Sequence, residues 1–214
     1  MLIDLHAHTA PRSNCSRTTL DELVTSARRR GLDALCITEH DVRWPDDELA
    51  DASRTLGFPL IPGVELSTDI GHVLVFGPLE RPLWSGYTFE QLVEETERSG
   101  TALVLPHPVR RVAGERARRA GRVPPTPAEV AAWPQWSAVH AIEAASTQTI
   151  AAEHELTAAA LAVAPRPRVG ASDAHGPDLA GRFCTRLSVD VRDASGLASE
   201  IRAGHTDAVR LDPD

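Results

Sequence analysis

The 214-residue sequence predicts an α/β fold in which about seven or eight strand–helix units close into a barrel of parallel strands. Three observations carry this expectation. Short apolar runs alternate with helical segments along nearly the whole chain. Their number suits a closed barrel better than an open doubly wound sheet. No G-x-G-x-x-G follows the first strand, which removes the usual dinucleotide signal.

The elements follow in order. Leu2–Leu5 is a short apolar strand. Thr18 or Thr19 caps a helix over Leu20–Arg30, which Gly31 stops. Ala34–Ile37 is the second strand, and Asp46–Leu56 is a helix ending at Gly57. Leu60–Leu66 and His72–Phe76 read as strands, and Phe89–Arg98 as a helix ending at Gly100. Ala102–Leu105 and Val139–Glu143 are strands, and the alanine-rich Thr149–Val163 is a helix. Arg168–Ala171, Arg186–Val189 and Ala208–Leu211 complete the strands, with a last helix at Ala194–Ala203. Strands separated by helices pair in parallel through right-handed crossovers. One stretch breaks the rhythm: VRRVAGERARRAGRVPPT, between Pro108 and Pro127, holds six arginines from Arg110 to Arg122 and reads as an insertion or loop. No repeat or linker divides the chain, so residues 1–214 read as one domain.

Composition narrows the function. Hydrophobic residues make up 42% and charged residues 24%, as in a globular enzyme rather than a disordered chain. A formal net charge of −8 argues against holding a long nucleic-acid duplex. All 22 basic residues are arginine, so Schiff-base chemistry on a lysine is excluded. Cys15, Cys36 and Cys184 are odd in number and form no CxxC pair, which points to a reducing compartment. With no signal-like start and no apolar run of the ~20 residues a membrane span needs, the expected location is cytoplasmic, with no membrane partner.

The histidines and carboxylates carry the chemistry. His6 and His8 end the first strand and, two apart, point to the same side. His40 ends the second strand, Glu65 closes the third, and His72 opens the next. His107 ends a later strand, and Asp173 and His175 follow another, again two apart. In a parallel barrel such ends converge on one face. Imidazoles and carboxylates gathered there are costly unless cations neutralise the carboxylates and use the imidazole lone pairs. Mixed nitrogen and oxygen ligation suits Zn, Mn or Fe rather than Ca or Mg. His140, His154 and His205 match no strand end and read as core or surface residues. Glu143, also at a strand end, reads equally as a supporting acid or a structural one.

The ordered set DLHAHT, TEHD, PGVELST with GHVLVFG, LPHP and GASDAH resembles the polymerase and histidinol phosphatase (PHP) family, from Asp4 to about Thr185. The resemblance implies a distorted, TIM-barrel-like (β/α)7 barrel with its site at the C-terminal ends of the strands. It also implies two or three divalent ions. One would be held by His6, His8, Glu65 and Asp173. A second would share Glu65 and take His107, with His72 a further candidate. A third would sit between His40 and His175. Where many members place an acidic or histidine ligand, this chain has Ser13, Asn14 and Cys15. Cys15 reads either as a loop cysteine or as a soft ligand, and Asp41 is a candidate substitute carboxylate.

The expected reaction is hydrolysis of a phosphate mono- or diester. Ions sharing Glu65 supply hydroxide near neutral pH, while His40 or His175 donates a proton to the leaving oxygen. Arg12, Arg110, Arg111 and Arg182 are the candidate phosphate binders. The expected substrate is a small phosphorylated metabolite, a nucleotide or a short oligonucleotide end. Two other readings stay open: a metal-dependent hydrolase of a C–N or carboxylic ester bond, and a non-catalytic metal-binding module.

Overall fold

The computed structural model describes residues 1–79 and 83–211. Its strands are β1 (Leu2–Asp4), β2 (Ala34–Ile37), β3 (Leu60–Thr68), β4 (Gly71–Phe76), β5 (Ala102–Leu105), β6 (Ala141–Ala145), β7 (Arg168–Gly170), β8 (Phe183–Leu187) and β9 (Thr206–Arg210). The helices are α1 (Leu20–Arg29), α2 (Asp46–Leu56), α3 (Phe89–Ser99), α4 (Gly114–Arg119), α5 (Pro127–Ala131), α6 (Pro134–Ala138), α7 (Ala151–Val163) and α8 (Ala194–Ala203).

Local chemistry sets the long helices. Thr19 opens α1 with a capping box: its hydroxyl accepts from the Glu22 N–H, and the Glu22 carboxylate accepts from the Thr19 N–H. Thr88 and Gln91 repeat the arrangement on α3. Gly57 and Gly100 end α2 and α3 at φ values of 61° and 74°, a left-handed turn that costs glycine least.

The strands form one sheet in the order β7-β6-β5-β4-β3-β2-β1-β8-β9. The pairs β1–β2, β2–β3, β5–β6 and β6–β7 are parallel, as the crossovers require. The all-parallel expectation fails elsewhere. β4 runs antiparallel to β3 and β5, because only Asp69 and Ile70 separate β3 from β4 and a crossover needs far more chain. β8 is antiparallel to both β1 and β9.

The sheet is nearly closed. Just past β1, Ala7 pairs in parallel with Ala174 just past β7. The His8 N–H donates to the Ala174 carbonyl at 3.0 Å, and the Ala174 N–H to the His6 carbonyl at 3.1 Å. At the other end of β1 the neighbour is β8, so the seven-stranded barrel is seamed at its C-terminal end and splayed at its N-terminal end. Gly170 of β7 lies so close to β8 that a Cβ there would sit 2.5 Å from the Cys184 carbonyl oxygen.

The barrel interior is apolar. Ile3, Leu5, Cys36, Ile61, Leu74, Val104 and Val169 form one buried cluster with Leu197, Ala198 and Ile201 of α8. Ala198 meets the backbone turn at Gly77, and Arg202 donates to the Thr101 carbonyl ahead of β5 at 2.9 Å. α8 therefore plugs the N-terminal mouth, and the C-terminal mouth is left for polar groups. α1 and α2 cover one outer face, and α3 with α5, α6 and α7 the other.

Three details differ from the sequence reading. The arginine-rich stretch contains the short helix α4, and α5 and α6 follow before β6. β8 starts three residues earlier than expected, at Phe183, and β9 two earlier, at Thr206. Their short polar–apolar alternation gives weak boundaries. Among the described residues no helix is long and apolar enough to cross a membrane.

Candidate metal centre

The seam of the barrel delivers its polar residues to one point. His6 and His8 follow β1, while Asp173 and His175 flank Ala174, so one backbone ladder sets all four. His40 is held against β3 by a parallel bridge to Glu65. The β3–β4 hairpin places Glu65 opposite Leu74 and Ser67 opposite His72. His107 follows β5 with φ 31°, and Asp173 has φ 50°. Such left-handed backbone costs about 1–3 kcal/mol and is characteristic of functional sites.

Glu65 is the hub. Its Oε2 lies 3.2 Å from His6 Nε2, 3.2 Å from His8 Nε2 and 3.1 Å from His40 Nδ1. Its Oε1 lies 2.7 Å from His72 Nδ1 and 3.2 Å from His107 Nε2. Asp173 Oδ1 completes the floor, 3.4 Å from His6 Nε2 and 3.3 Å from His8 Nε2. Yet His6 Nε2, His8 Nε2, Glu65 Oε2 and both Asp173 oxygens are buried without a hydrogen-bond partner. Buried lone-pair donors facing one another without shared protons fit a divalent cation between them.

Three groups of donors are close enough to hold an ion: His6, His8, Glu65 and Asp173; His40, Glu65 and His72; and His8, Cys15, His40 and His175. The first is the set the resemblance implied. In the second, His40 joins Glu65 and His72, while His107 faces the same Glu65 oxygen as His72. In the third, Cys15 stands with the histidines rather than apart in a loop.

Electrostatics follow from this crowding. Burial opposes the charge on Glu65, but His6, His107 and His72 hold it well below the usual carboxylate range. Burial opposes the charge on Asp173 too, and His6 and His8 keep it lowered. His6 and His8 lose solvation yet are raised by Asp173 and Glu65. Burial dominates at His40, lowering it to about 4, and at His175, also lowered. Both are neutral near pH 7, which favours lone-pair donation over proton donation.

A surrounding ring of acids, largely missed in the sequence, fixes the ligands. The Glu143 carboxylate accepts from His6 Nδ1 at 3.0 Å and from the His107 N–H at 3.2 Å. Asp4, fully buried, accepts from the N–H groups of His6, Ser172 and Gly181. Burial pushes it up to about 6 despite those bonds. Glu39 accepts from the Thr9 N–H, from the Thr9 and Ser13 hydroxyls and from Trp44 Nε1. The available sequence signal was a carboxylate ending or just following a short apolar run, LID for Asp4 and ALCIT for Glu39.

A cavity of about 470 Å³ opens above, lined by Cys15, His40, Glu65, His72, His107, Asp173 and His175, with Arg110 and Arg111 on its wall. Arg110 Nη1 lies 3.5 Å from Asp173 Oδ2. Arg12 and Arg182, expected as phosphate binders, do not line it. The Arg12 guanidinium stacks 3.9 Å above the Trp44 ring and pairs with Glu48. Arg182 donates to the Asp178 carbonyl and lines a separate cavity beside His154. Asp41 is likewise committed, accepting from the Ser67 N–H and hydroxyl. His140, His154 and His205 lie outside the centre. His140 accepts from the Leu103 N–H, His154 contacts Thr149 and Ser146, and His205 pairs with Glu200 at the surface.

The family model of the PHP domain matches residues 4–116. A two-domain protein of Bacteroides vulgatus containing a predicted PHP-like metal-dependent phosphoesterase superposes with a TM-score of 0.63 at 21% identity, over 99% of this chain and 65% of that one. The chain thus spans about two thirds of that larger protein. PsfC of Pseudomonas syringae gives 0.61 at 22% identity over 98% and 91% of the two chains. An amidohydrolase from Chromobacterium violaceum, with bound sulfate and no metal, gives 0.62 at 17% over 98% of each. At these identities the likeness is one of fold. No curated protein matches the sequence.

Proposed function

Because the chain belongs to the PHP domain family, we propose that it is a metal-dependent phosphoesterase acting on a phosphate mono- or diester of a small metabolite or nucleotide. One observation carries the reading: Glu65, fully buried, faces five histidine nitrogens at 2.7–3.2 Å on the floor of an open cavity walled by arginine. His6, His8, His40, Glu65, His72, His107 and Asp173 would hold divalent ions, a donor set that suits Mn, Zn or Fe; these would lower the pKa of a water and offset charge on the phosphoryl oxygens.

The protein's own residues do the rest. Glu65, with Asp173, gives the centre its negative charge and keeps the imidazoles turned inward. Arg110 and Arg111 present forked donors to the non-bridging oxygens. A second cavity, sharing both arginines and lined further by Arg116, Arg119 and Arg122, extends the positive wall away from the centre. On a chain of net charge −8 this concentration of guanidinium favours an anionic substrate that reaches beyond the scissile phosphate.

The test is phosphate release from a panel of phosphorylated metabolites and nucleotides, by protein reconstituted with Mn, Zn or Fe, beside Glu65→Gln. Release by the wild type and loss in the variant support the reading. Metal binding with silence across the panel, but turnover of amides or carboxylic esters, would replace it with carbonyl hydrolysis. Bound metal without any turnover would leave a non-catalytic module.

A further inference from the structure

We propose that Cys15 is a metal ligand, its thiolate serving with His40 and His175 as the anionic donor of one metal position. The inference rests on the metal-centre reading above and adds to it the identity and softness of one ligand.

Four donor atoms, from His8, Cys15, His40 and His175, lie within 4.8 Å of one another. His8 Nε2 is buried, has no hydrogen-bond partner and belongs also to the group around Asp173. One nitrogen serves one ion, so His8 stands at the border and the outer position falls to Cys15, His40 and His175. His175 is oriented for this, because its Nδ1 is bonded to the Asp173 carbonyl at 2.9 Å, which leaves Nε2 as the free lone pair.

The nearby carboxylates are spent. Glu39 is saturated by Thr9, Ser13 and Trp44, and Asp41 by Ser67. Glu65 and Asp173 serve the inner position. Among the described residues Cys15 is thus the one member of this group able to carry negative charge. The imidazoles of His40 and His175 alone leave a dication uncompensated, and a thiolate supplies negative charge where an acid would otherwise stand.

The loop holds the sulfur in place. The Ala10 N–H donates to the Thr18 carbonyl, the Ser16 hydroxyl to the His8 carbonyl and the Arg17 N–H to the His175 carbonyl. The residues that follow Cys15 are therefore tied to His8 and His175, beside which its sulfur stands. A soft donor biases this position toward Zn, Fe(II) or Co(II) and away from Mg and Mn.

The experiment is a Co(II) titration of the metal-free protein under reducing, anaerobic conditions, for wild type, C15S and C15D. The expected result is near-ultraviolet thiolate-to-cobalt absorption in the wild type. C15S should lack that absorption and hold one fewer tightly bound equivalent, and C15D should regain the equivalent without the absorption. Cys15 is exposed, so C15S leaves the core intact, which circular dichroism checks. Wild type that fills with cobalt without the absorption overturns the thiolate ligand and leaves the metal centre standing. Wild type that binds no cobalt overturns both.

Discussion

Replacing Glu143 with glutamine tests whether His6 is held as a ligand or merely packed. The carboxylate accepts two bonds, from His6 Nδ1 at 3.0 Å and from the His107 N–H at 3.2 Å. Glutamine offers one acceptor and one donor, so in either orientation a donor meets a donor. With the amide NH2 against His6, the imidazole proton must move to Nε2. That nitrogen faces Glu65 and Asp173 at 3.2 and 3.4 Å, and its lone pair is lost to any ion there. With the NH2 against His107, a buried N–H is orphaned at a cost of about 1–3 kcal/mol. Losing the outer carboxylate of a metal-bound histidine typically lowers metal affinity ~10–100-fold, or about 1.4–2.7 kcal/mol. Competition with a chromophoric chelator measures the affinity, and turnover at saturating metal shows whether activity returns once the ions are forced in. Affinity equal to that of the wild type would refute the argument, because it would mean that the His6 tautomer does not depend on Glu143.

The seam predicts that Gly170→Ala destabilises the fold by about 3 kcal/mol, the upper end for overpacking, since its Cβ meets backbone rather than a yielding side chain. Thermal unfolding of the metal-free protein checks this, and an unchanged Tm counts against the close approach of β7 and β8. Asp4 predicts a pH effect. Its folded carboxyl, raised from 3.8 to about 6, holds its proton more firmly than the unfolded chain does. The resulting stabilisation is full below the unfolded value and is lost as pH rises through about 6. Relative to Asp4→Asn, the wild type should lose up to about 3 kcal/mol between pH 4 and 7 in denaturant titrations, and parallel profiles would exclude the shift. Substituting Arg110 and Arg111 together by alanine should raise KM for a phosphorylated substrate about tenfold or more, as loss of charge-assisted hydrogen bonds implies. Unchanged kinetics would remove them from the substrate site.

The inner metal group was legible because its members stand at strand ends, and position along a strand is local information. Spacing points such residues to one mouth of the barrel, the resemblance alone groups His6, His8, Glu65 and Asp173, and their donor atoms lie within 4.8 Å of one another. The sequence could not show which arginines face the cavity. Arg12 and Arg182 are near ligands in sequence, but Trp44 and Glu48 draw one away and Asp178 the other. The direction of β4 was missed because apolar patterning records burial and not polarity of pairing. The two-residue connection was the available clue. Glu39 and Asp4 escaped because a buried acid looks like a surface acid until its donors are known. The sequence leaves Cys15 open between a loop cysteine and a ligand, since its nearness to His8 and His175 depends on how the loop folds.

The pairing of Ala7 with Ala174 also bears on how the molecule is made. The residues it joins are 167 positions apart in sequence, so forming the ladder closes a loop of nearly the whole barrel. Contacts of such range are slow to form, because the entropy of closing the loop is spent before they repay it. The inner group draws His6 and His8 from one side of this ladder and Asp173 from the other. Its full affinity is therefore a late event in folding, and an ion captured there acts as a clasp on the finished barrel. Uptake of metal by refolding protein should consequently trail the return of secondary structure, making the ion a timer for the last step of assembly.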